Sequence, residues 1–275
     1  MKFIDFFAGI GGFRLGMEMA GHECVGHCEI DKYADKSYRA MHNVKESEWF
    51  ANDITRVEPE ELPESDCYCG GFPCQSFSIA GKRGGFQDTR GTLFFEVMRL
   101  AQIRKPKYLF LENVSGLISH DGGRTFGTII STMEELGYDA EWQVLNSRYF
   151  GVPQNRERVF IVGHFRGRSR RKVFPIRERM VQPFEQKTFY VYSESKQFYS
   201  KRFGIIPCLK ASMSKDFLYE EEKRFLTPKE CFRLQGFPDE YFERAAKVNS
   251  DSQLYKQAGN SVTVNVIYEI AKGLI

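Results

Sequence analysis

The chain has 275 residues, 42% hydrophobic and 27% charged, the composition of a globular protein and not of a disordered, collagen-like or coiled-coil one. No apolar run approaches the ~20 residues that cross a bilayer, and Asp5 interrupts the start before any signal-peptide pattern forms, so a cytoplasmic protein is expected. Net charge is only +3, yet residues 164–223 carry 14 Lys+Arg against 7 Asp+Glu, which leaves a slightly acidic remainder and predicts a polyanion partner for one segment.

In chain order, 2–7 is a short apolar strand ending in a glycine-rich turn, and 13–19 is a helix. A second strand spans 23–28, and a helix spans 32–42. A third strand is expected to end at Asp53, in Asn52-Asp53-Ile54, and a brief one spans 67–69. A helix at 92–103, a buried-type strand at 108–111, a helix at 125–136 closed by Gly137 and a strand at 159–162 follow. Strands alternating with helices predict an α/β fold with a mostly parallel sheet and helices on both faces. Beyond 163 the alternation stops, and aromatic residues without helical period predict short strands and loops. Thr227, Pro228 and Glu230 form a helix-start signal, and 262–275 is an apolar terminal helix. Three parts are expected: a catalytic domain at 1–163, a small mixed domain at 164–223, and a segment at 224–275 that returns to the first.

The turn Phe7-Ala-Gly-Ile-Gly-Gly-Phe13 lies between a strand and a helix, where glycines let the backbone approach a ligand. Glu29 ends the second strand, a position from which an acid holds ribose hydroxyls, and Asp53 can accept from an adenine amino group. Together they suggest a nucleoside cofactor, with Phe7 against its base. Cys74 follows a strand in Gly71-Phe-Pro-Cys-Gln75 and opens a glycine-rich basic loop containing Lys82, Arg83 and Arg90. Such a loop can close over an anionic substrate and activate a thiol. Glu112 directly follows a buried-type strand, and alternation puts Gln154, Arg156 and Arg158 on one side of the next. In an open parallel sheet these strand ends meet at one edge. The seven cysteines do not suggest a disulfide framework, and Cys24-x3-Cys28 and Cys67-x-Cys69-x4-Cys74 do not have common zinc spacings, so no metal is expected.

These stretches resemble bacterial and phage DNA (cytosine-5)-methyltransferases. The resemblance continues through Arg90-Gly-Thr-Leu93, Glu112-Asn-Val114, Leu226-Thr-Pro-Lys-Glu230, Arg233-Leu-Gln-Gly-Phe-Pro238 and Gln257-Ala-Gly-Asn-Ser-Val262, in the family's order over nearly the whole chain. It implies a Rossmann-like methyltransferase fold with a target-recognition domain. It also implies S-adenosyl-L-methionine as methyl donor, S-adenosyl-L-homocysteine as product and double-stranded DNA as partner. The implied cofactor residues are Phe7, Ala8, Gly9, Ile10, Gly11, Gly12, Glu29, Ile30, Asp53, Ile54, Pro73, Leu93, Asn260, Ser261 and Val262. The implied catalytic residues are Cys74, adding to cytosine C6, Glu112 at N3, Arg158 near the base carbonyl, and Arg156 near Glu112 and the sugar-phosphate. The target base must be flipped out of the duplex.

Expected DNA contacts are Gln75, Ser76, Ser78, Lys82 and Arg83 in the loop, then Gln154, Arg168, Arg170, Arg171, Lys172 and Lys210. The recognition segment is short for the family, and Cys208-Leu209 stands where the family often has Thr-Leu; Cys208 is read as a buried filler. A cognate restriction endonuclease and a monomeric state are further expectations. The alternatives are an RNA (tRNA) cytosine-5 methyltransferase on the same scaffold and a DNA-binding relative that has lost activity. A Phe72-Pro73-Cys74 loop and the retained Cys74, Glu112, Arg156 and Arg158 argue against them.

Overall fold

Short apolar runs separated by amphipathic stretches give a βα alternation, because each strand buries both faces only when helices cover the sheet. The computed structural model describes residues 1–73, 93–168, 172–178, 188–193, 198–203, 205–211, 217–219 and 224–274. The elements begin β1 (Lys2–Phe6), α1 (Gly12–Met19), β2 (Glu23–Cys28), α2 (Lys32–Met41) and β3 (Trp49–Ala51). They continue β4 (Cys67–Gly71), α3 (Leu93–Arg104), β5 (Tyr108–Val114), α4 (Arg124–Glu135), β6 (Tyr138–Asn146), β7 (Gln154–Asn155) and β8 (Glu157–Phe165).

One sheet has the order β3-β2-β1-β4-β5-β8-β6. The five strands from β3 to β5 run parallel, while β8 is antiparallel to both β5 and β6. The expected mostly parallel α/β sheet is therefore present, with one reversed strand. A short connection from β6 to β8 allows only antiparallel pairing, since a parallel partner needs a long crossover. The sequence reading has no strand at β6, because its alternating exposed and half-buried residues belong to a sheet edge. Asp53 follows the third strand as expected: β3 ends at Ala51, and Asp53 caps a single 3-10 turn over Ile54–Arg56.

Chain order reverses between β1 and β4, so a crevice opens outside their carboxyl ends. The two strands are very close there: a Cβ on Gly70 would lie 2.0 Å from the Phe6 carbonyl oxygen. Helices α3 and α4 cover one face through Phe94, Leu100, Phe126 and Ile129. On the other face, α1 and the last helix contribute Phe13, Met17, Val266 and Ile270.

After β8 come β9 (Thr188–Ser193), β10 (Phe198–Phe203), β11 (Ile206–Pro207), β12 (Phe217–Tyr219) and β13 (Arg224–Phe225). Strands β10-β9-β12-β13 make a separate antiparallel sheet, while β11 pairs with β7. Four helices end the chain: α5 (Pro228–Leu234), with the expected Thr227/Glu230 capping box, α6 (Asp239–Ala245), α7 (Asp251–Asn260) and α8 (Val264–Ala271). The first residues assigned to the small domain belong elsewhere. His164 and Phe165 finish β8, and 173–178 runs along β6, where Glu141 accepts from the backbone of Val173 and Phe174.

Candidate active site

A cleft of about 510 Å³ opens at the carboxyl edge of the sheet, within the size range of small-molecule sites. Its first half is built by the turn after β1. Phe7 and Gly9 both have φ of 55°, a left-handed conformation costly for Phe7 and free for Gly9. The Gly9 amide donates to Glu29 Oε2 at 2.7 Å, and the Asp31 amide to Oε1 at 2.7 Å. The Glu29 carboxylate is thus fixed by backbone on both sides, with its remaining lone pairs free for hydroxyl donors. Burial raises its pKa, and the two amides partly offset that. Asp53 Oδ1 accepts from the backbone and hydroxyl of Thr55. Those bonds hold its carboxyl below the usual range. Oδ2 meets only the exposed Arg56 guanidinium, at 3.7 Å, and can still accept from a ligand amine.

Phe7, Gly9, Ile10, Glu29, Ile30, Asp53, Ile54, Pro73, Leu93 and Asn260 line the cleft. Ile30 is 75% exposed there, an apolar surface with no protein partner over most of its area. Ala8, Gly11, Gly12, Ser261 and Val262 stand behind this wall: a Cβ on Gly12 would lie 2.8 Å from Val262 Cγ2 and 2.9 Å from Ser261 Oγ. His42 Nε2 meets the Ile10 carbonyl at 3.0 Å and backs the turn.

The second half gathers residues from β4, β5 and β8. Glu112 is 7% exposed and pairs with Arg158, Nε to Oε1 at 3.0 Å. Burial raises its pKa, against the opposing pull of Arg158 and Arg156. Gly71 packs directly against it: a Cβ there would lie 2.8 Å from Glu112 Oε2 and displace the carboxylate. Asn113 Nδ2 donates to the Phe72 carbonyl at 2.8 Å and fixes the backbone that leads to Cys74. An acid whose proton affinity is raised by burial can share or give a proton to a ring nitrogen.

Arg156 stands differently from the expectation of a group near the sugar-phosphate. It is 3% exposed, and its guanidinium donates to the carbonyls of Leu209 (3.0 Å), Gly259 (3.2 Å) and Ser261 (2.6 Å). It also meets Cys208 Sγ at 3.2 Å. Cys208 is not a buried filler: it is half-buried, and its sulfur also meets Arg158 Nη2 at 3.6 Å. Nothing in a single sequence signals these contacts, because β11 brings Cys208 to the site from 50 residues away.

Two expected DNA contacts are corrected. Gln154 is fully buried, donates to the Leu234 carbonyl at 2.8 Å and accepts from the Leu209 amide at 2.9 Å; its polar atoms hold the protein together. Arg168 lies beyond the end of β8, at the opposite edge of the sheet, where it donates to the Lys105 carbonyl. There it lines a second cleft with Lys2, Asp66 and Lys107. Antiparallel β8 carries its end away from the site, which the sequence pattern does not reveal. Lys172 and Lys210 are exposed. Cys74, Gln75, Ser76, Ser78, Lys82, Arg83, Arg170 and Arg171 lie outside the described residues. Among the described residues no group of three His, Cys, Asp or Glu is placed to hold a metal, and no helix is long and apolar enough to cross a membrane.

The chain matches the C-5 cytosine-specific DNA methylase family over residues 1–197 and 176–275. It is 37% identical to the type II methyltransferase M.HhaI of Haemophilus parahaemolyticus, over 98% of this chain and 93% of that protein. With M.HpaII of Haemophilus parainfluenzae it shares 39% identity, over 99% and 88%. Among solved structures, the Entamoeba histolytica methyltransferase EhMeth aligns with a TM-score of 0.75 at 19% identity, covering 100% of this chain and 97% of that one. A DNA modification methyltransferase, described as putative, from an E. coli prophage aligns at 0.67 and 18%, covering 100% and 98%. At those identities the structures speak for the fold alone.

Proposed function

The chain belongs to the C-5 cytosine-specific DNA methylase family and methylates cytosine C5 in DNA; from that premise we propose which residues carry the reaction. The observation that carries the assignment is the buried Glu112–Arg158 pair facing the same cleft as the backbone-held Glu29.

The donor chemistry of the cleft fits S-adenosyl-L-methionine: Glu29 for ribose hydroxyls, Asp53 Oδ2 for an amino group, and Phe7 and Ile30 as apolar surfaces for a base. When bound, that cofactor supplies the methyl group. Cys74, one residue past Pro73, adds as thiolate to cytosine C6. The added electron pair makes C5 nucleophilic, while Glu112 delivers or shares a proton at N3 so that no full charge builds on the ring. Arg158 holds Glu112 and faces the base carbonyl. After methylation the C5 proton passes to solvent, the thiolate is expelled and N3 returns its proton to Glu112, which restores the neutral ring. Arg156 acts through backbone, fixing 209, 259 and 261 around the site.

The small sheet of β9, β10, β12 and β13, with its flanking basic residues, is the proposed target-recognition part. Its partner is double-stranded DNA with the target base flipped out. A nuclease cutting the same site fits the type II naming of the relatives; a cytoplasmic location and a monomeric state complete the reading. The test is methyl transfer from labelled S-adenosyl-L-methionine to mixed-sequence duplex, with Cys74→Ala alongside and 5-methylcytosine mapped. Methylation confined to one short motif and abolished in the variant is expected. Activity retained by the variant overturns the role of Cys74, and activity on tRNA but not on duplex overturns the substrate.

A further inference from the structure

The walls of the cofactor cleft come from distant parts of the chain. One is the β2–α2 turn, Glu29 to Asp31; the other is α7 with its end at Gly259 and Asn260. Lys256 Nζ reaches Asp31 Oδ2 at 2.6 Å across 225 positions of sequence, and both residues line the cleft. Asp31 is already committed elsewhere. Its Oδ1 caps α2 through the Tyr33 and Ala34 amides, and its own amide holds Glu29. Lys256 therefore grips the turn that fixes the ribose-facing carboxylate. At the other end of α7, the Gly259 carbonyl is held by Arg156. Between them, Gln257 bonds Ser37 and the Tyr33 carbonyl.

We propose that Lys256 is a positioning residue for the cofactor: with Asp31 it clasps α7 to the β2–α2 turn and slows release of the bound S-adenosyl nucleoside. The proposal rests on the reading of this cleft as the cofactor site. The pair is half-exposed, with side-chain exposures of 46% for Lys256 and 27% for Asp31, so salt screens it. The buried Gln257 bonds persist without it, so losing the clasp alters the cleft mouth more than the fold.

The test is equilibrium binding of S-adenosyl-L-homocysteine to the full chain, with melting followed in parallel. Variants are Lys256→Met, Lys256→Arg, Asp31→Asn and the Asp31→Asn/Lys256→Met double. Asn keeps the α2 cap. Lys256→Met is expected to weaken binding by about threefold to fivefold, the range of an exposed ion pair, and to speed dissociation. Lys256→Arg restores affinity, and the double variant binds no worse than Lys256→Met. Wild-type affinity falls with salt more steeply than that of Lys256→Met. Unchanged affinity in Lys256→Met, or losses that track melting temperature in every variant, overturns the clasp while wild-type binding stays intact and dependent on Glu29. A wild type that does not bind, or a Glu29→Gln variant that binds normally, overturns the cofactor reading and the clasp with it.

Discussion

Arg158→Ala separates the two roles proposed for the Glu112–Arg158 pair. The contact is 3.0 Å, between side chains 17% and 10% exposed. At an effective dielectric near 20, opposite charges at that distance attract by about 5 kcal/mol before desolvation is counted. The folded protein does not lose that much, because Glu112 can take up a proton. Its carboxyl is already raised by burial against the pull of Arg158 and Arg156, so deleting Arg158 raises it further. The stability cost at neutral pH is then the smaller cost of protonating the carboxyl, below that Coulomb figure. The sign follows from proton binding: the folded variant holds its proton to higher pH than the unfolded chain, so the loss grows as pH rises above the ordinary carboxylate range. Catalysis should fall further, by roughly 10²–10³-fold in kcat, as when one preorganised donor is removed from a reacting carbonyl. Activity requires protonated Glu112, so the alkaline limb of the kcat profile should move to higher pH in the variant. Steady-state kinetics from pH 6 to 9, with melting curves in the same buffers, measure both. An alkaline limb that stays put, or moves down, refutes the proton-donor role of Glu112.

Glu112→Gln removes the titrating group. It should cost at least ~10²-fold in kcat and flatten the pH dependence of melting above the ordinary carboxylate range, because a raised carboxyl loses stability as pH rises. Arg156→Lys replaces a planar fork that serves three carbonyls with a single ammonium, and about 3 kcal/mol should be lost in denaturant titrations. Gly70→Ala and Gly9→Ala should differ sharply. The first drives a Cβ to 2.0 Å from the Phe6 carbonyl and should abolish soluble folded protein; the second meets no atom within 4 Å and should cost only about 1 kcal/mol for its positive φ. Comparable losses in these two would refute the close approach of β1 and β4.

The cofactor half of the site is legible because it is local. Phe7 to Gly12, Glu29 and Asp53 each end a strand or open a turn, and each marks itself by residue type and position. The base-facing half is legible only in its pieces. Glu112 and Arg158 read as strand-end groups, but their contact depends on β8 running antiparallel to β5. Gln154 and Arg168 show the limit in opposite directions. A polar side chain reads as available for DNA until a carbonyl and an amide are found filling it, and a basic run reads as a binding segment until its strand carries it to the far edge.

The chemistry, and the βα alternation apart from the edge strand β6, were determined by the sequence alone, because motif residues and hydrophobic periodicity are properties of neighbours along the chain. Which of those residues share a cleft, and which only hold its walls, was decided by the tertiary structure. The pairing of β8 against β5, the return of β11 to β7, the bond from Arg156 to α7 and the bond from Lys256 on α7 to Asp31 join positions 44 to 225 residues apart. Contacts of that span depend on strand order and direction, which no local pattern encodes.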